Sequence, residues 1–195
     1  AAIVERLFKA GADINCNQGG QEGINYTPLA LASIEGHLDV VDCLLSLGVD
    51  LEKKDQEGAT ALMRASEYGM IDAVDRLLEA GCNVNAVDNN GDTALTKAAS
   101  DGYLSTIDRL VVHGADFNHQ NERESTALLI AAQRGHIEVF DRLVSLGCDL
   151  NLQDDQEATA LMLAIQNGHN EIANRLISLG CDLNLQDCQS ATALM

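Results

Sequence analysis

Apolar and polar positions alternate along this chain in a fixed order. In "TALMRASEYG" (60–69), Leu62, Ala65 and Ser66 fall at helical spacing and a glycine closes the stretch. In "MIDAVDRLLEAG" (70–81), Ile71, Val74, Leu77 and Leu78 mark one face of a second helix, closed by Gly81. The polar run that follows, "CNVNAVDNNGD", has turn chemistry, with Asp88 and Gly91 at the first and last positions of a type I turn. The predicted unit is a small-residue helix, a glycine, a second helix, a glycine and a turn.

This unit recurs every 33 residues. Threonine stands at Thr27, Thr60, Thr93, Thr126, Thr159 and Thr192, and the segments after them align without a gap. "SLGCDLNLQD" is spelled identically at 145–154 and 178–187. Each threonine suits a helix N-cap, where its hydroxyl accepts from an amide of the first turn, and Pro28 sits just inside the first. Gly36, Gly69, Gly102, Gly135 and Gly168 suit the left-handed helix end. Five complete units are expected: unit one 22–54, unit two 55–87, unit three 88–120, unit four 121–153 and unit five 154–186. A partial repeat with an enlarged finger (1–21) precedes them and the start of another (187–195) follows. The chain begins and stops inside the pattern, so a piece of a longer protein is expected. One helix pair cannot bury its apolar face alone, whereas a stack of pairs can.

The period, "TPL" at Thr27–Leu29, the "GH" turns and the "GADxN" ends resemble the ankyrin-repeat family over essentially the whole chain. The resemblance implies an all-α solenoid of stacked helix-turn-helix units with β-turn fingers, forming one array over 1–195. Three departures stand out. The family's histidine after the threonine is replaced by Ala30, Met63, Thr96, Leu129 and Met162, so its hydrogen bond is expected to be missing throughout. Glu124, Glu157 and Ser190 stand where Gly58 and Gly91 close the turn, a change type I geometry is expected to tolerate. Four extra residues between Gly11 and Thr27 predict a longer, looser first finger.

Charge narrows the function. The formal net charge is −18, a field that repels phosphate backbones and anionic lipid heads. No nucleic-acid partner and no membrane contact are expected. With three Tyr, three Phe and no Trp, the apolar mass is aliphatic and suits helix packing better than a large aromatic pocket. No catalytic signature is present, and the carboxylates form no defensible acid–base pair. No enzyme, small-molecule substrate, cofactor or metal is expected.

The six cysteines fit the same conclusion. Cys82, Cys148 and Cys181 share one register in different units. Stacked helices lie ~8–10 Å apart, beyond the ~7 Å that a disulfide allows. No spacing gives four convergent zinc ligands. Buried free thiols imply a reducing compartment, so an intracellular, cytoplasmic setting is expected. His37, His136 and His169 occupy the "GH" turns, a structural position. Arg6, Arg76, Arg109, Arg142 and Arg175 share a second-helix register, most of them preceded by an acid. They read either as a basic stripe for an anionic partner or as salt bridges joining units, and the interleaved acids favour the second.

The resemblance implies that ligands contact the finger tips and the exposed side of the first helix, lining a concave groove. Here those positions vary while the framework repeats. Units one and two offer Ile24, Tyr26, Ile34 and Tyr68, the apolar and aromatic anchors that dominate interface energies. Glu57, Glu67, Asp92 and Asp101 follow across units two and three, and Arg123 and Arg134 in unit four. The expected function is a protein–protein interaction module that binds a partner segment bearing basic and apolar residues. The alternatives are a structural spacer, or a regulatory domain of an enzyme or channel encoded outside this segment. The resemblance also marks Asn15, Asn118, Asn151 and Asn184 as candidates for asparagine hydroxylation.

Overall fold

The computed structural model describes residues 2–16 and 25–193. Among them are eleven helices, arranged as predicted. α1 (Ala2–Lys9) is the second helix of the leading part-unit. Five pairs follow: α2 (Pro28–Ile34) with α3 (Leu38–Ser46), α4 (Ala61–Glu67) with α5 (Ile71–Glu79), and α6 (Ala94–Asp101) with α7 (Leu104–Val112). α8 (Ala127–Arg134) with α9 (Ile137–Ser145) and α10 (Ala160–Gln166) with α11 (Asn170–Ser178) complete them. First helices stack on first helices and second on second, giving two layers.

Each first helix starts for a local reason. The hydroxyls of Thr27, Thr60, Thr93, Thr126 and Thr159 accept from the amide three residues on, at 3.1–3.4 Å. In two units the missing histidine has a substitute. Thr93 N–H donates to the Thr96 hydroxyl at 2.8 Å, and Thr60 N–H approaches the Met63 sulfur at 3.4 Å. The expectation that this bond is lost throughout is therefore corrected. Any side chain at that place with an acceptor in reach closes the capping box.

The core lies between the layers. Leu29, Leu62, Leu95, Leu128 and Leu161 repeat in the first layer, and Leu44, Leu77, Leu110, Leu143 and Leu176 in the second, all buried. Buried alanines such as Ala65, Ala98, Ala131 and Ala164 let the backbones approach. Histidine adds a seam between units: His136 and His169 present Nε2 to the carbonyls of Ser100 and Gln133 at 2.8 and 3.0 Å. Their rings lie where a Cβ on Gly102 or Gly135 would stand, so these two glycines are held by contact as well as by their positive φ.

From unit two onward, each finger is built on one side chain. In unit three, Asp88 Oδ1 accepts from Asn90 and Asp92 N–H at 2.8 and 3.0 Å. Asp55, Asn121, Asp154 and Asp187 do the same in their units. One backbone bond then joins each of these fingers to the next, for example Glu122 N–H to Asn90 O at 3.0 Å. The turn is not a plain type I turn. Glu124, Glu157 and Ser190 have φ of 55, 57 and 62°, in the left-handed region that Gly58 and Gly91 occupy without strain. The expected tolerance is thus corrected, because these three positions carry a backbone penalty. Residues 17–24 of the enlarged first finger lie outside the described residues.

A second ladder runs beside the fingers. The side-chain oxygens of Asn15, Glu52, Asn85, Asn118 and Asn151 each accept a backbone N–H from the next unit, at 2.8–3.4 Å. Three of the asparagines singled out in the sequence are thereby structural ties between units.

Candidate partner-binding groove

The candidate residues lie on the fingers and the first-helix ends and fall into two groups. The first centres on Arg64, which sequence reasoning did not single out. Arg64 occupies the middle of α4, a register held elsewhere by Leu31, Lys97, Ile130 and Leu163. Its guanidinium is nearly solvent-free and is gripped by three carboxylates. Nε meets Asp55 Oδ2 at 2.7 Å, Nη2 meets Glu57 at 2.6 Å and Nη1 meets Glu67 at 2.7 Å. Burial alone would favour the neutral form, but the bonds from Asp55, Glu57 and Glu67 outweigh it and raise the Arg64 pKa.

Tyr26 covers this cluster, with its ring centroid 5.3 Å from the Arg64 guanidinium carbon, within cation–π range. Its hydroxyl lies 3.5 Å from that of Tyr68, which is 43% exposed at the end of α4. The hydrogen bond to Tyr68, with burial second, pushes the Tyr26 phenol up to about 12. Tyr26, Glu57, Glu67 and Tyr68 therefore form one aromatic and acidic patch. Ile34 is half-buried at the end of α2, and Ile24 lies outside the described residues.

The second group lines a cleft of about 430 Å³ between the fingers of units three and four and helices α6 and α8. Glu67, Asp92, Asp101, Arg123 and Arg134 all border it. Lys97 reaches Asp88 at 2.8 Å and Asp92 at 3.2 Å, and the Asn121 amide donates to Asp92 at 2.8 Å. The signal for Arg64 and Lys97 is present in the sequence: two cations within a small-residue helix, each following an aspartate nine residues earlier. What the sequence does not show is which acids they take.

The arginine row resolves as inter-unit salt bridges. Arg76, Arg109, Arg142 and Arg175 pair with Asp42, Asp75, Asp108 and Asp141 of the preceding unit, at 3.2 Å for Arg109 and 2.6 Å for Arg142. Among the described residues the cysteines form no disulfide, and Cys148 and Cys181 are buried. Burial pushes the Cys82 and Cys148 thiols up to about 12.

Two layers of stacked helix pairs and a row of turn fingers define a repeat solenoid. The family model described as Ankyrin repeats (3 copies) matches residues 1–88, 67–154 and 95–187. The chain belongs to the ankyrin-repeat family. Ankyrin repeats are in general protein–protein interaction modules rather than enzymes. Among the described residues, no helix is long and apolar enough to cross a membrane.

Proposed function

We propose that the whole array, with repeats bounded as the 33-residue period sets them, binds a segment of another protein along this groove. The segment carries apolar and basic residues and docks mainly across units one to three. The observation that carries this reading is the Tyr26–Tyr68–Arg64 patch. Asp55, Glu57 and Glu67 set three negative charges against one buried guanidinium, so the patch keeps an acidic excess beside two aromatic rings. A partner lysine or arginine finds carboxylates there, and an apolar side chain finds the rings. Paired carboxylates attract less than free ones, and Asp101, exposed and without a cation among the described residues, adds to the field. Cysteines without disulfides among the described residues support a reducing, intracellular setting.

The test compares wild type with a Tyr26→Ala/Ile34→Ala/Tyr68→Ala variant whose melting curve shows it folded. Proteins captured from lysate by each are identified, and the bound segment of any hit is remade as a synthetic peptide and titrated. Loss of peptide affinity in the variant is expected. Equal affinity for both proteins places the contact elsewhere and overturns the reading.

A further inference from the structure

Arg123 and Arg134 differ from the other arginines of the complete units. Arg64, Arg76, Arg109, Arg142 and Arg175 all hold carboxylates. Arg123, on the unit-four finger, and Arg134, at the end of α8, are exposed, and among the described residues neither forms an ion pair. In a chain of net charge −18, two unpaired guanidiniums bordering one cleft are a local exception to the field around them. Two acids of the cleft are engaged elsewhere: Asp92 with Lys97 and Asn121, Glu67 with Arg64. Glu122 and Asp101 also border the cleft, and among the described residues neither forms an ion pair with Arg123 or Arg134.

We propose that Arg123 and Arg134 form an anion-reading subsite for an acidic side chain of the partner segment, an inference that rests on the groove reading above. The groove is then bipolar, with carboxylates and tyrosines in units one to three and guanidiniums in unit four. A guanidinium presents a planar fork that matches a carboxylate with two parallel bonds. A singly charged carboxylate fits better than a phosphate dianion, because Asp101 and Glu122 on the same cleft repel the second charge. The occupant is thus a segment with an aspartate or glutamate at one position and a lysine or arginine at another. Charge order along the segment fixes which end lies over unit four.

A displayed library of random peptides, panned on the full chain, tests this whatever the natural partner is. Pools selected on wild type are expected to converge on a motif with an acidic residue at a fixed distance from a basic one. Pools selected on Arg123→Glu/Arg134→Glu are expected to lose the acid and gain Lys or Arg there. A wild-type-selected peptide is expected to bind that variant about tenfold more weakly or worse. Arg123→Ala/Arg134→Ala, checked by melting, serves if the reversal disturbs folding. Convergence without an acidic position, or the same motif on both proteins, overturns this inference alone. No convergence on wild type overturns it together with the groove reading.

Discussion

Arg64 Nε donates to Asp55 Oδ2 at 2.7 Å, and both side chains are almost wholly removed from water. Asp55 Oδ1 accepts the N–H groups of Glu57 and Ala59, so one carboxylate joins the finger of unit two to its first helix. Removing the cation alone leaves a buried, uncompensated charge. Arg64→Ala is expected to cost about 3 kcal/mol in urea unfolding. Unit four shows the uncharged alternative, with Asn121 at the aspartate position and Ile130 at the arginine position. Asp55→Asn/Arg64→Ile is therefore expected to recover most of that loss. A double variant as unstable as the single one would refute this account.

The turn glycine allows a gain in stability. Glu157 holds φ at 57° where units two and three use glycine. Glu157→Gly is expected to raise stability by about 1 kcal/mol, from release of left-handed backbone strain. Thermal melting checks the sign, and Glu124→Gly should behave alike.

Ser66 Oγ is buried without a hydrogen-bond partner among the described residues. Ala99 and Ala132 fill the same register in the next two units. Ser66→Ala is expected to stabilise by about 1 kcal/mol, because the desolvated hydroxyl is removed and no cavity of consequence replaces it. Destabilisation in chemical unfolding would show that the hydroxyl finds a partner in solution.

The arginine row contributes little per pair. Arg142 and Asp108 remain 39% and 47% exposed, so solvent screens them. Arg142→Ala is expected to shift stability by about 0.5 kcal/mol, and by less at high salt.

Thiol reactivity follows burial. Cys188 is exposed and is expected to react first with a thiol reagent under native conditions, whereas Cys148 and Cys181 should wait for unfolding. Burial raises the Cys82 and Cys148 thiols from near 9 to about 12 in the fold. Between these values the unfolded chain has lost protons that the folded one retains. Stability is therefore fully present below pH 9 and falls as pH rises toward 12. Cys82→Ala/Cys148→Ala is expected to flatten that decline in unfolding measured across the range.

The repeat is legible because each of its signals is local. A threonine followed by a small-residue helix, a glycine at the left-handed end and an aspartate at the finger base require only a few neighbouring residues. The arginine row is also readable, since register and interleaved acids suffice to pair neighbours. Two local features are not. Thr96 reads as a lost histidine although its hydroxyl closes the cap at Thr93, and Glu157 reads as part of an ordinary turn although the chain there is left-handed.

Period and helix boundaries thus follow from the sequence alone, through residue types acting within one turn of chain, and the 33-residue offset places equivalent residues side by side. The allocation of charge belongs to the tertiary structure. Glu57 and Glu67 read as free acids awaiting a partner, yet both close on Arg64, while Arg123 and Arg134 form no ion pair among the described residues beside a cleft rich in carboxylates. An ion pair depends on angstrom distances between long side chains carried on different elements. Those distances exist only once finger, helix and neighbouring unit have packed.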